Sequence, residues 1–565
     1  MPRGRGRGHL RRLNENRRTL TAVYVALAED AQKGEPASPA AEWLLDNFHV
    51  VSAAGRDIVR DLPAAFFRRL PTIAADEFAG VPRIYALALE LIRTSAGRLD
   101  AQRLHRFITA YQSVTPLTMG ELWAWPSSLK LALVEHLRIR ADILAATRAE
   151  HRDADRLAAS LGAGSAVDER WPEEIHPAFV TRLLERSREY GAAAAALRHQ
   201  LVTALGTRGQ TVEDAIRSEG RHQAVEQASM ANLITSLRLI SSFDWSEFFE
   251  SVSLVEQVLQ RDPAGVYARM DFRTRDRYRH AVEELAEPSG EGELRVALKS
   301  VERARQASEK SPDAREGHVG YYLIGRGRRQ FERSVAWVPG IRQWVQRLFF
   351  RWATPAYLGM IGTGTAVVVA AALSYAFFHG WRGWPLAALA LLTLIPASEF
   401  ATQVVQRIIS ALVPPRRLPR LEFDRVPASS RTMVIIPTIL DSVTQVEDLI
   451  SHLEVQALGN VDPHIHFGLL TDVRDAASET LPHDDEVLRA AREGIEALNA
   501  RHAGERADRF FLFHRRRLWN PGEGRWMGWE RKRGKIDEFN RLLRGATDTS
   551  FAVSVGDLDV LPQVQ

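Results

Sequence analysis

The 565-residue chain has no cysteine, so disulfides, thiolate metal sites and cysteine nucleophiles are all excluded. It also lacks a dominant charge. Lysine and arginine number 74 against 70 acidic residues, a net +4 that gives no global drive toward nucleic acid, and none is expected as a partner. The first residues, MPRGRGRGHLRRLNENRR, lack the apolar run of a secretory signal. They read as a disordered basic tail over 1–12 that either touches anionic lipid or is merely solvated.

Strand-like alternation is scarce between Leu10 and Ala336. Stretches such as AEWLLDNFHVVSAAGRDIV place apolar residues at i, i+3, i+4 and i+7, which predicts an all-α region over 13–340. Pro36, Pro39, Pro63, Pro82, Pro116, Pro126, Pro172, Pro263 and Pro312 punctuate it between helices. The tryptophans of PLTMGELWAWPSS, Trp123 and Trp125, read as core residues more readily than as a binding loop. Gly325 and Gly327 lack the preceding strand and third glycine of a phosphate loop.

Charge disappears from Ala356 to Phe378, a run long enough to cross a bilayer, which takes about 20 apolar residues. A second apolar run follows the turn HGWRGWP, giving a membrane segment over 341–413 with helices at about 356–378 and 386–412. Basic flanks (RQWVQRLFFRW before, PPRRLPR after) predict that both large regions are cytoplasmic, with Trp381 and Trp384 in the aromatic belt at the outer tip. Glu399 is expected to face a protein partner or pore, because a carboxylate facing lipid is costly.

A Pro/Arg-rich connector, 414–430, leads to a change of pattern. RTMVIIP reads as a strand buried on both faces, IHFGLLTD and RFFLFHR as further strands, with amphipathic helices between. Strand, helix, strand, helix, strand opens a parallel α/β domain, whose ligands bind at the carboxyl ends of the strands. Pro437, Thr438 and Asp441 fall there, as do Asp472, Arg474 and Asp475. Asp472 suits a base or ribose, or alternatively caps the next helix. Arg531, Lys532, Arg533 and Lys535 surround Gly534 ahead of a helix, which suits a diphosphate or, as charge alone, a solvated turn. Asp557 and Asp559 spell the D-x-D that holds a divalent metal in sugar-nucleotide enzymes, and FAVSVGDLD reads as a strand ending in it.

VIIPTILDS, then LLTD, then the basic G-K-x-x-x-x-N resembles the nucleotide-sugar half of a GT-A glycosyltransferase of the processive, membrane-bound kind. NFHVVSAAGRDIVRDLP, PLTMGELWAWPSSL, SMANLITSLRLISSFDWSEFFESVS and GVYARMDFRTRDRYR extend the resemblance, to cyclic β-1,2-glucan synthases, from about Asn14 to the end. The resemblance implies a multi-pass enzyme of the bacterial inner membrane that transfers glucose from UDP-glucose to a growing β-1,2-glucan. Residues 431–565 would be the N-terminal half of its GT-A-like domain. Asp472 would contact uridine, Lys535 with Arg533 and its neighbours the nucleotide, and Asn540 would hold that turn. The family's pattern places a further strand ending in D-A-D after the equivalent of GDLDVLP. The magnesium or manganese ligands and the general base are then expected beyond Gln565, demoting Asp557 and Asp559. The resemblance further implies an inverting displacement, a chain inactive alone, and the rest of its own polypeptide and membrane lipid as partners. Two rivals stand beside it: a non-catalytic nucleotide-binding membrane scaffold, and a processive glycosyltransferase making another polysaccharide.

Overall fold

The computed structural model describes residues 8–565 except 75–77, 163–170, 172–173, 189–191, 313, 341–343, 345–346, 348–349, 414, 416–417 and 504–508. Pro172, the tail before Gly8 and parts of both basic flanks of the membrane segment lie outside the described residues. Two units emerge, Met1–Arg420 and Leu421–Gln565.

The first unit is helical, as its periodicity predicts. Its central helix, Met119–Gly162, starts with a reciprocal cap: Thr118 Oγ1 accepts from Glu121 N at 3.2 Å, and Glu121 Oε2 accepts from Thr118 N at 2.9 Å. Glu121 is fully buried because Arg83 closes its charge, Nε to Oε1 at 2.8 Å. The helix packs against Gly8–Gln32, Pro39–Asp61, Arg83–Thr94 and Val212–Ser242. Trp125 is buried, and Trp123 stacks on Phe249 at 4.5 Å, so both serve the core. Gly327 is buried, and a Cβ on it would lie 2.4 Å from the Tyr321 ring; Gly325 is exposed, with a Cβ there 2.9 Å from the Tyr321 backbone.

Two expectations are corrected here. The helix beginning at Gly8 occupies part of the stretch assigned to a disordered tail, because His9 stacks on Phe67 at 3.9 Å and Arg12 pairs with Glu135. Pro126 lies inside the Met119–Gly162 helix rather than between helices. It lies near the helix start, and its neighbours Trp125 and Leu129 are buried in the core, which offsets the one backbone hydrogen bond a proline removes.

Two helices, Ala353–Phe378 and Trp384–Leu412, are long and apolar enough to cross a membrane. They pack on each other through small side chains, as helices in lipid do: Thr365 and Ala376 on one, Ala397 and Ala401 on the other. A Cβ on Gly364 would sit 3.1 Å from that of Ala401. Glu399 is exposed, turned away from this contact.

In the second unit the strands are β1 (Thr432–Leu440), β2 (Ile465–Val473), β3 (Phe510–Arg515), β4 (Leu518–Asn520), β5 (Arg525–Met527) and β6 (Phe551–Val555). The main sheet runs β1-β2-β3-β6, and β4 and β5 form a separate hairpin. β1, β2 and β3 are parallel, as the strand–helix alternation predicts; β6 is antiparallel to β3, so the sheet is mixed rather than parallel throughout. The cause lies in how β6 starts. Ser550 donates its N–H and hydroxyl to Glu538 Oε2, both at 2.6 Å, and its carbonyl accepts from Arg516 N at 3.0 Å. β6 therefore begins beside the end of β3 and runs back along it.

β1 is also not buried on both faces. It is an edge strand, with Val434 exposed and only Leu440 buried. The central strands, β2 and β3, are the ones sealed on both sides. Helices Val443–Leu458 and Asp484–Arg501 cover one face of the sheet through Val446, Leu453, Val487, Ala491 and Ile495. Helix Arg531–Leu543 meets the Leu470, Phe511 and Phe513 cluster through Phe539.

Candidate nucleotide-binding edge of the sheet

The carboxyl ends of β2 and β3 carry two buried charges where apolar residues would be expected. Asp472 follows GLLT on β2, and Arg515 follows FFLFH on β3. Both are nearly inaccessible to solvent, and so is Lys535, from the first turns of the Arg531–Leu543 helix. Asp472 Oδ1 accepts from Lys535 Nζ at 2.9 Å, and Oδ2 accepts from Arg515 Nη2 at 2.9 Å. Arg515 Nη1 reaches Glu538 Oε1 and the Trp529 carbonyl, each at 3.0 Å; Nη2 also reaches the Arg531 carbonyl at 3.2 Å. Lys535 Nζ adds the Thr438 carbonyl of β1 at 2.5 Å. Two acids and two bases thus neutralise one another and tie three strands to the helix. Burial pulls the Lys535 ammonium below its ordinary pKa, against the pull of Asp472 in the other direction.

Glycines let the loop close on this cluster. A Cβ on Gly528 would lie 2.4 Å from Asp472 Oδ2, and one on Gly534 would lie 2.1 Å from the Trp529 carbonyl oxygen. Between them the backbone turns left-handed at Glu530 (φ 39°) and Arg531 (φ 31°), a conformation that costs about 1–3 kcal/mol per residue when it is not glycine. Helix Arg531–Leu543 then opens on three consecutive bases, Arg531, Lys532 and Arg533. Cations are unfavourable at that end, where unpaired N–H groups already concentrate positive charge. Asp475 relieves Arg531 at 2.6 Å and Glu530 relieves Arg533 at 3.0 Å, while Lys532 has no ion-pair partner among the described residues. Unpaired N–H groups and basic side chains at a helix N-terminus are together suited to an anion.

The candidate residues divide into three groups. Thr438, Asp472 and Lys535 meet, through the Thr438 carbonyl rather than its hydroxyl. Asp472 caps no helix; its oxygens go to the cluster. Asp441 lies at the same edge, accepting from Arg474 Nη2 at 2.6 Å. Arg533 and Asn540 occupy the outer face of the helix, lining a shallow depression with Lys532, Ile536 and Asp537, away from buried Lys535. Asp557 and Asp559 lie at the opposite end of the sheet. Val555 pairs with Leu512 near the start of β3, and the chain beyond reaches the Arg431 carbonyl before β1. Asp557 Oδ1 is occupied with Asp559 N at 3.1 Å. Among the described residues no three His, Asp or Glu side chains are placed to hold a metal ion.

Arg515, Glu538, Gly528 and the β4–β5 hairpin were not singled out from the sequence. A charge ending an apolar strand run was the available signal for Arg515. The hairpin docks through Trp526, which exchanges backbone hydrogen bonds of 2.9 Å with Ala476; Trp519 and Trp529 stay about half exposed nearby in sequence.

His514, beside Arg515, is buried and shares a 2.9 Å contact between Nδ1 and Thr471 Oγ1. Burial lowers its pKa from 6.5 to about 4, so the folded unit keeps it neutral while the unfolded chain takes up the proton first. Stability is therefore complete above pH 6.5 and declines as pH falls toward 4, by about 3 kcal/mol in all. Hydrogen-exchange protection of β3, corrected for intrinsic rates, is expected to drop between pH 7 and pH 5 in the native chain (roughly 2 kcal/mol). His514→Gln is expected to flatten that slope; an unchanged slope would remove His514 as its cause.

No family model matches the chain. Among curated proteins it is similar to the cyclic beta-(1,2)-glucan synthase NdvB of Rhizobium meliloti (strain 1021), with 36% identity over 555 residues. The match covers 96% of this chain and 19% of the relative, so the chain spans about a fifth of the length of the protein it matches. Over nearly all of its own length, from the helical region through both apolar helices to the sheet, this chain is a relative of a glucan synthase.

Proposed function

We propose that the chain is part of a membrane glycosyltransferase that builds glucan, and that the carboxyl edge of β1, β2 and β3 holds the nucleotide of a UDP-glucose donor. The observation that carries this reading is the run Arg531, Lys532, Arg533 on a strained turn at a helix N-terminus, beside the Asp472–Lys535–Arg515 cluster. A diphosphate would satisfy the N–H groups and the three cations together. Asp472 and Lys535 would act mainly by holding the turn, with any contact to uridine made through the carboxylate's remaining lone pairs. The two apolar helices would cross the bacterial inner membrane as a hairpin, leaving both units cytoplasmic. Divalent metal belongs to the proposal for the whole protein, with no ligand assigned to this chain.

Titration calorimetry of the full chain with UDP tests this. Saturable binding that weakens with salt is expected, and Arg531→Glu with Lys532→Glu should lower affinity at least tenfold, about 1.4 kcal/mol. Absence of saturable binding, or affinity indifferent to the double substitution, would refute the site. A regulatory scaffold is separated from a transferase by repeating the titration with magnesium and with chelator, since only a metal-assisted leaving group calls for metal-dependent affinity.

A further inference from the structure

Both ends of the apolar hairpin are anchored to one cleft of the helical unit. On the approach to the first span, Arg347 pairs with Glu332, Nη1 to Oε2 at 3.0 Å and Nη2 to Oε1 at 2.5 Å, and lies 4.5 Å over the Trp337 ring. On the exit from the second span, Arg420 N donates to Thr274 Oγ1 at 3.1 Å, and the Arg420 carbonyl accepts from Asp271 N at 3.1 Å. The cleft between these anchors has a volume of about 1360 Å³, and Phe350 and Leu418, from the two flanks of the hairpin, form its apolar rim. Phe350 is 56% exposed and Leu418 82%.

Six arginines line the cleft against four carboxylates. Glu284 and Glu332 are occupied by Arg328 and Arg347. Asp276 lies 3.5 Å from the buried Arg279, and Asp271 caps Thr274 N at 2.8 Å. Arg273, Arg329 and Arg420 are exposed and have no ion-pair partner among the described residues. Three guanidiniums that make no short ion pair, two of them within longer range of Asp271, inside a cleft whose rim leads into two lipid-length helices match a ligand with a phosphate head and acyl chains. A free anion would account for the arginines and leave the rim unexplained.

We propose that this cleft binds the headgroup of an anionic glycerophospholipid. Arg273, Arg329 and Arg420 take the phosphate oxygens, and the chains leave past Phe350 and Leu418. The proposal rests on the hairpin crossing the membrane. It would fix the height of the helical unit against the bilayer surface, because both anchors and the headgroup share one cleft.

The full chain is reconstituted in nanodiscs of phosphatidylcholine alone or mixed with phosphatidylglycerol, released into detergent, and its retained lipid counted by native mass spectrometry. Preferential retention of phosphatidylglycerol is expected, reduced at least tenfold in Arg273→Glu/Arg329→Glu/Arg420→Glu, since each basic residue near such a surface contributes about fivefold. The glutamine triple variant should lose less, with the same sign. Arg106→Glu/Arg198→Glu/Arg221→Glu, at exposed positions that do not line the cleft, should retain lipid like the native chain. Equal retention of both lipids, selectivity unchanged in the cleft variants, or an equal loss in the control variant overturns the proposal. Displacement by excess inorganic phosphate overturns the lipid assignment in favour of a free anion. A native chain that fails to enter phosphatidylcholine nanodiscs overturns the spanning reading and this proposal together; entry without lipid preference overturns this proposal alone.

Discussion

Arg515→Met is expected to destabilise the Leu421–Gln565 unit by about 3–5 kcal/mol, the usual result of removing one partner from a buried charge pair. The guanidinium is fully buried and serves Asp472, Glu538 and the carbonyls of Trp529 and Arg531 at once. Methionine fills much of its volume but leaves two carboxylates short of a cation and two carbonyls short of a donor. Hydrogen exchange should show the loss across β2 and β3 while Met119–Gly162 keeps its protection, which separates a local effect from general misfolding. A loss under about 1 kcal/mol would place the pair among exposed ion pairs, contrary to its burial. UDP affinity should fall in parallel, since the same arginine holds the Gly528–Arg531 turn.

Gly534→Ala is expected to act through shape alone. The added methyl would stand 2.1 Å from the Trp529 carbonyl oxygen and 2.7 Å from the Trp529 ring, distances that no rotamer change relieves because the first contact is backbone. The turn must move away from the helix, at a cost of about 3 kcal/mol, the upper part of the range for overpacking. Arg515 would then lose its bond to the Trp529 carbonyl. Gly459→Ala, whose new Cβ meets nothing closer than 3.6 Å, is the control and should leave both stability and UDP binding unchanged. Equal behaviour of the two variants in calorimetry would show that the closeness of the turn has no bearing on binding.

Much of the architecture was legible from periodicity. The charge-free run from Ala356 to Phe378 could be little other than a long apolar helix, and it lies within Ala353–Phe378. The strands of IHFGLLTD and RFFLFHR announced themselves by unbroken apolar runs between helices of 3.6-residue period. Direction was not legible for β6, because alternation identifies a strand without saying which way it runs; Glu538 and Ser550 decide that through contacts between distant residues. β1 looked internal by its β-branched run, yet composition alone does not tell an edge from a centre. The site was half legible. Asp472 and Lys535 stood out by position, but Arg515 reads locally as one more surface base, and its burial follows only once Asp472 and Glu538 converge on it. The turn LWNPGEGRWMGW carries a hairpin signal in its Asn, Pro and Gly residues, directly ahead of the basic run.

The four charges at the sheet edge also constrain how such a protein can change over generations. Asp472 and Glu538 balance Lys535 and Arg515, two buried charges of each sign. Any single replacement strands an opposite charge in a place water does not reach, so each intermediate on a one-step path is less fit to fold than either end. The quartet behaves as one heritable character, kept whole or exchanged whole. Lys532 and Arg533 face solvent one helical turn away, so a change at either alters what the edge of the sheet accepts without stranding a buried charge.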